Sequence, residues 1–176
     1  MTEPESRADA TFRPAELRTA RLQLSPVCER DAEPMFGVLD DPALYAFLGE
    51  APGDLAGLAA GYRRMAIGGP APGVHQVHLI VRPLAQDAPV GFVDAVLERE
   101  DDGWTAELSW VVGTAHQRRG YAAEAACTLV AWLEEQGISS IVAHIHPDHV
   151  ASIGVAQRIG LRRTGELVDG EETWRS

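Results

Sequence analysis

At 176 residues, 45% of them hydrophobic, the chain has the size and apolar content of one compact domain whose core folds without help from a disulfide framework or a metal. Its formal net charge of −11 argues against a protein that coats nucleic acid or an anionic membrane, because phosphate binding needs a broad basic face. A cationic partner suits that charge, which also serves solubility. All fifteen basic residues are arginine, so no catalytic lysine is available. Cys28 and Cys127 are too few for a disulfide scaffold and fit a reducing compartment.

In chain order, residues 1–14 are acidic and polar, read as a flexible tail, and lack the apolar run of a secretory signal. Residues 15–176 then form a single domain. No stretch approaches bilayer-spanning length, so the expected location is the cytoplasm. Leu17 to Leu24 reads as a half-buried strand, with Leu22 and Leu24 on one face. Asp31 to Leu39 reads as a short helix, which Asp40-Asp41-Pro42 interrupts before helix resumes over Ala43 to Leu48. After a loop at 49–53, Asp54 caps a helix running to about Met65.

The glycine and proline cluster at 68–73 separates this helical front from a β-rich middle. His75 to Arg82, Val90 to Arg99 and Thr105 to Val112 read as three antiparallel strands joined by turns at 83–89 and 101–103. The next helix, Ala122 to Gln136, carries an apolar stripe at Ala122, Ala126, Leu129 and Leu133, and Gly137 ends it. A strand from Ile138 to His146, a helix lined by Ser152, Val155, Ala156 and Ile159, and a hairpin of Leu161 to Val168 with Glu172 to Arg175 complete the chain. One strand, loop, helix, strand unit within an otherwise antiparallel order gives a mixed α/β (α+β) sheet with helices on both faces.

Between the third middle strand and its helix lies Gln117-Arg118-Arg119-Gly120-Tyr121-Ala122. A strand that turns through glycine into a helix presents unpaired N–H groups and the positive end of the helix dipole, which together make an anion cradle. Gly120 lets the main chain approach a ligand closely, and His116, Arg118 and Arg119 add donors and charge. The loop lacks the Gly-Lys-Ser/Thr ending of a P-loop and the triple glycine of a dinucleotide fingerprint.

The pattern Gln-x-x-Gly-x-Ala resembles the coenzyme A pyrophosphate loop of GNAT-superfamily N-acyltransferases. Pro147 to Ser152, with Gly160-Leu161 closing its helix, is similar to a second segment of that family, Asn-x-x-Ser and Gly-Phe. Leu17 to Leu24 resembles the first strand of the RimJ/RimL branch of N-terminal acetyltransferases. The resemblance covers about residues 15–176 and implies the GNAT fold: a mostly antiparallel central sheet, two of whose strands splay apart. It also implies acetyl-CoA as cosubstrate, with its pantetheine arm against the backbone of Val111 and Val112 and its pyrophosphate at Gln117, Arg118, Arg119, Gly120, Tyr121 and Ala122.

Acyl transfer to an amine needs a neutral nucleophile, a polarised carbonyl and a proton for the departing thiolate. The resemblance implies Glu107 as base, through a water, with a solvated glutamate paired to an arginine as the alternative. It implies Ser152 on the thiolate side, with a first-turn serine bonded to backbone as the alternative. The sequence departs from the family twice. Ala156 stands where many members have tyrosine, and His149 stands where asparagine is usual, so its contact with pantetheine is an imidazole's.

The expected activity is direct transfer of acetyl to a primary amine within a ternary complex. The acceptor is a protein α-amino group or a small amino compound, and the alternative is a catalytically silent acyl-CoA sensor. A homodimer is common among such relatives, though no feature here requires one. His144, His146 and His149 superficially resemble a metal cluster, but no partnering cysteine or carboxylate has zinc spacing, so no metal is expected. Tyr45, Phe47, Tyr62 and Trp110 are candidates for an acceptor pocket or for core. Cys127, beside the apolar stripe, reads as a buried small side chain.

Overall fold

The computed structural model describes residues 12–47, 53–67, 73–100 and 103–176. Residues 1–11 of the expected tail, 48–52, the breaker cluster 68–72 and the turn residues 101–102 lie outside the described residues. The strands are β1 (Leu17–Arg18), β2 (Leu22–Pro26), β3 (Val74–Pro83), β4 (Gly91–Glu100), β5 (Gly103–Val112), β6 (Ser140–Ile145), β7 (Arg162–Val168) and β8 (Glu171–Arg175). The helices are α1 (Ala32–Leu39), α2 (Leu55–Ile67), α3 (Tyr121–Glu135) and α4 (Val150–Arg158). Together the strands form one sheet in the order β1-β2-β3-β4-β5-β6-β8-β7. Every pairing is antiparallel except β5 with β6, where α3 makes the crossover that a parallel pair requires.

Two apolar clusters hold the helices to opposite faces. On one, Leu22, Leu24, Leu79, Val93, Ala95 and Leu108 pack against Ala125, Leu129 and Leu133 of α3 and Ala156 of α4. On the other, Ile80 and Val111 pack against Met35 and Leu39 of α1 and Tyr62 of α2. Strands sandwiched this way alternate their side chains between two cores, so one residue's shift in register would exchange the clusters. The α3 stripe is buried at Ala125, Ala126, Leu129 and Leu133, whereas Ala122 at its start turns toward the cleft described below. The chain leaves α3 through a bond from Ile138 N–H to the Leu133 carbonyl.

The structure departs from the sequence-based expectation in four places, one being that the helix expected from Ala43 is a 3-10 helix over Pro42–Ala46, with Asp41 capping it through the Ala43 N–H. Leu17 to Leu24 is a hairpin and not one strand: Leu17 pairs back onto Leu24, and the Thr19 hydroxyl accepts from the N–H groups of Arg21 and Leu22 to form the turn. Phe12, read as tail, is buried edge-on against the rings of His75 and Trp104, at 5.3 and 5.0 Å. Cys127 is exposed, because the buried stripe of α3 runs along Ala125, Ala126 and Leu129; its thiol lies 3.9 Å from the Arg158 carbonyl oxygen.

Candidate active site

The site originates in a parting of strands. β5 and β6 pair only at Thr105 with Ser140, Ala106 with Ile141 and Glu107 with Val142, although β5 continues to Val112 and β6 to Ile145. Beyond Glu107 the strands diverge and leave unpaired backbone edges facing a wedge. Trp110, Val111 and Val112 from β5 line one wall of a cleft of about 650 Å³, and His149 to Ser152 at the start of α4 line the other. Its far end is closed by His116, Gln117, Arg118, Gly120, Tyr121 and Ala122, and its mouth by Ala43, Leu44, Ala46 and Phe47. The cofactor and catalytic candidates named from the sequence therefore meet here, except that Arg119 and Glu107 are outside its lining.

Gly120 is the N-cap of α3 with φ +78, a left-handed conformation that side chains rarely adopt. The first intrahelical bond runs from Glu124 N–H to the Gly120 carbonyl, so the N–H groups of Tyr121, Ala122 and Ala123 have no intrahelical acceptor. Arg118, also at positive φ (59), tightens the turn before it. Among the described residues the buried Nδ1 of His116, on the cleft wall, has no hydrogen-bond partner. A cradle of free donors, a left-handed glycine beside the Arg21 guanidinium and an orphaned imidazole nitrogen fits a pyrophosphate-bearing ligand with a slender arm.

Arg21, in the β1–β2 turn, fixes this loop. Its Nε donates to Glu124 Oε2 at 2.8 Å, its Nη1 donates to the Arg119 carbonyl at 3.1 Å, and its guanidinium lies 5.3 Å from the centre of the Tyr121 ring. Burial acts to raise the Glu124 pKa, but hydrogen bonds from Thr19 and Arg21 and the Arg21 charge outweigh it, so the carboxyl sits below its ordinary value. Sequence reading missed Arg21 because no local pattern links it to residue 124; that contact exists only once the hairpin folds against α3.

On β5, Gly91 of the neighbouring strand permits a close crossing: a Cβ there would stand 2.0 Å from the Val111 carbonyl oxygen. Gln117 Nε2 donates to the Val112 carbonyl at 3.0 Å, tying the loop to the strand end. The Trp110 indole N–H donates to Ser152 Oγ at 3.3 Å across the cleft. Phe47 stacks on His149, with centroids 4.7 Å apart and planes at 14°, and also meets His146 at 5.2 Å. Desolvation, reinforced by His146 and opposed by Glu171, lowers the His149 pKa from 6.5, which favours neutral imidazole.

Glu107 is exposed, at the apex where the strands part, and among the described residues it makes no ion pair. Ala156, which stands where the resemblance puts tyrosine in many family members, is fully buried within the core cluster and brings no hydroxyl to the cleft. Among the described residues no group of three metal-ligating side chains converges.

Comparison with known proteins matches this architecture. The acetyltransferase (GNAT) domain profile matches residues 21–162. The sequence is 33% identical over 75 residues to an uncharacterized N-acetyltransferase, YnaD, of Bacillus subtilis (strain 168); the match spans 40% of this chain and 44% of that protein's length. Among solved structures, the microcin C7 self-immunity acetyltransferase MccE in complex with acetyl-CoA and AMP superposes with TM-score 0.76 at 14% identity, covering 90% of this chain and 93% of that one. RimL, the ribosomal L7/L12 α-N-protein acetyltransferase in complex with coenzyme A, superposes with TM-score 0.73 at 12% identity, covering 92% and 97%. With the profile matched over most of its length, and with the strand parting and glycine-capped helix in place, the chain belongs to the GNAT acetyltransferase family.

Proposed function

We propose that this protein transfers the acetyl group of acetyl-CoA to a primary amine by direct attack within a ternary complex. The observation that carries the reading is the parting of β5 from β6 beyond Glu107, which opens a cleft ending at the free N–H groups of α3. In this reading the α3 N-terminus and His116 hold the pyrophosphate, and the end of β5 at Val111 and Val112, which β6 leaves unpaired, aligns the pantetheine arm by strand addition. When bound, the thioester supplies the activated acetyl carbon.

Glu107 takes the amine's proton through a water as the nitrogen–carbon bond forms. Ser152 donates its hydroxyl proton to the sulfur as the carbon–sulfur bond breaks and regains a proton through solvent from the Glu107 carboxyl, so that one proton passes in net from amine to thiol. The Trp110 indole already donates to Ser152 Oγ, so the serine's own hydrogen stays available for the sulfur. RimL acts on a protein amino terminus by its name, and an α-amino group suits a weak base of this kind, because its ordinary pKa is about 8 against about 10.4 for a lysine amine. Among the described residues no helix is long and apolar enough to cross a membrane. A place in the cytoplasm is part of the proposal.

Calorimetry with acetyl-CoA tests the reading, using wild type and Gly120→Val, whose side chain is strained at φ +78 and meets the Arg21 guanidinium that fixes the loop. Binding to the wild type that is lost in the variant supports it, and no binding to the wild type overturns it. Binding without thiol release across a panel of amines favours an acyl-CoA sensor instead, a reading to which the buried alanine at position 156 lends weight.

A further inference from the structure

The mouth of the cleft is bounded by a short rod tied to both walls. This is the 3-10 helix Pro42–Ala46, which follows Asp41 and ends at Phe47. The Asp41 carboxylate has two partners: Oδ1 accepts from the Ala43 N–H at 2.9 Å and caps the rod, and Oδ2 accepts from the Thr114 hydroxyl. The bond from Thr114, and then that from Ala43, hold the carboxyl below its ordinary pKa, as suits an anionic acceptor. The Tyr45 hydroxyl donates to the Leu39 carbonyl at 2.8 Å and fixes the rod to the end of α1. At the other end Phe47 stacks on His149, the N-cap of the helix whose first turn carries Ser152.

Thr114 belongs to the turn that serves the cosubstrate. It opens the 3-10 turn Thr114–His116, in which the His116 N–H donates to the Gly113 carbonyl at 2.8 Å. That turn has a bond still to make, because His116 Nδ1 is buried on the cleft wall without a partner among the described residues. An anion that accepts there adds the contact that fixes the turn, and Thr114 with it. A 3-10 helix rises about 2 Å per residue, so the rod spans about 10 Å, from beside the cradle to the wall that carries His149.

We infer that Asp41 is a positioning residue that links the two substrate sites: through its bond to Thr114, filling the cradle with acetyl-CoA fixes the rod Pro42–Ala46, and with it Phe47, at the mouth where the amine enters. Asp41 touches neither substrate and acts through Thr114 on one side and the rod on the other. Ordering the rod costs conformational entropy, and a ligand that orders the turn offsets part of that cost, which couples the sites without a large displacement. This inference rests on the transferase reading proposed above.

Hydrogen–deuterium exchange at Ala43 to Phe47 tests it, with and without acetyl-CoA at a concentration that calorimetry shows to be saturating. In the wild type acetyl-CoA is expected to slow exchange there at least about fivefold, the low end of coupling between sites. Thr114→Val keeps the side-chain shape and the Asp41–Ala43 cap but removes the hydroxyl; it is expected to bind acetyl-CoA and lose most of the slowing, and Thr114→Ser to regain it. An anchor with a merely structural role would change exchange equally in the free and bound protein and leave the ratio intact. No slowing in the wild type, or slowing that persists in Thr114→Val, overturns the inference and leaves the transferase reading standing. Absence of acetyl-CoA binding to the wild type overturns both. If Thr114→Val melts early or fails to bind, Asp41→Ala reads the same bound-to-free ratio from the other partner, and an unchanged ratio there also overturns the inference.

Discussion

The indole N–H of Trp110 donates to the hydroxyl oxygen of Ser152 across 3.3 Å, joining the free end of β5 to the first turn of α4 over the cleft. A serine that accepts from the indole keeps its own hydrogen available to donate, and Ser152 lines the cleft. Ser152→Ala is expected to lower kcat by about two orders of magnitude, the usual worth of a positioned proton donor, with little change in KM for acetyl-CoA. Trp110→Phe keeps the ring and removes the donor, so a few-fold loss is expected. Steady-state kinetics on both variants decide the role: unchanged kcat in Ser152→Ala removes it from the mechanism.

Glu107 stands where β5 and β6 part and is exposed, without an ion pair among the described residues. If it receives the amine's proton through water, Glu107→Gln lowers kcat by about a hundredfold near neutral pH. The deficit narrows as pH rises past the acceptor's own pKa, about 8 for an α-amino group, because the amine then arrives deprotonated. A deficit independent of pH assigns Glu107 to something other than proton transfer.

Arg21 reaches from the first hairpin to hold both Glu124 and the Arg119 carbonyl. Its side chain is 51% exposed, so Arg21→Ala is expected to cost less than about 1 kcal/mol of stability. The effect falls on the loop: acetyl-CoA affinity drops several-fold by calorimetry while the melting temperature barely moves. Glu124 has a lowered folded pKa, so its stabilising contribution is present above its ordinary value of 4.5 and is lost as pH falls through the lower folded value. That acid-side loss is expected to shrink in Arg21→Ala.

Desolvation by burial is the main cause that lowers the His149 pKa, and Phe47 stacks on the ring. Its folded pKa lies below 6.5, so the unfolded chain takes up this proton first, and the associated stability is present above pH 6.5 and declines as pH falls below it. An NMR titration of the His149 ring is expected to give a midpoint below 6.5, and Phe47→Ala, which opens the ring to water, moves the midpoint back up. A midpoint unaffected by removing Phe47 assigns the shift to other groups that bury the ring or to the charge of His146.

Local chemistry was legible in the sequence. Asp54 caps α2 by accepting from Gly57 N–H, Gly120 sits where a left-handed residue opens α3, and period-two alternation on Ile141, Ala143 and Ile145 put one face of β6 in the core. These features depend on neighbours a few residues apart, where turn chemistry and side-chain periodicity act. Alternation could likewise assign His78 and Asp94 each to a face, but it could not pair them, because cross-strand register is fixed by which core each face buries. The same holds for Leu17, which reads as the start of a strand through Leu24 and instead folds back onto that residue. Phe12 reads as tail until the rings of His75 and Trp104 enclose it. The sequence by itself determined most of the order of elements, the glycine turn that opens α3 and the family. Only the tertiary structure decided where β5 leaves β6 and which residues face the wedge, since these follow from packing two helix layers on one twisted sheet.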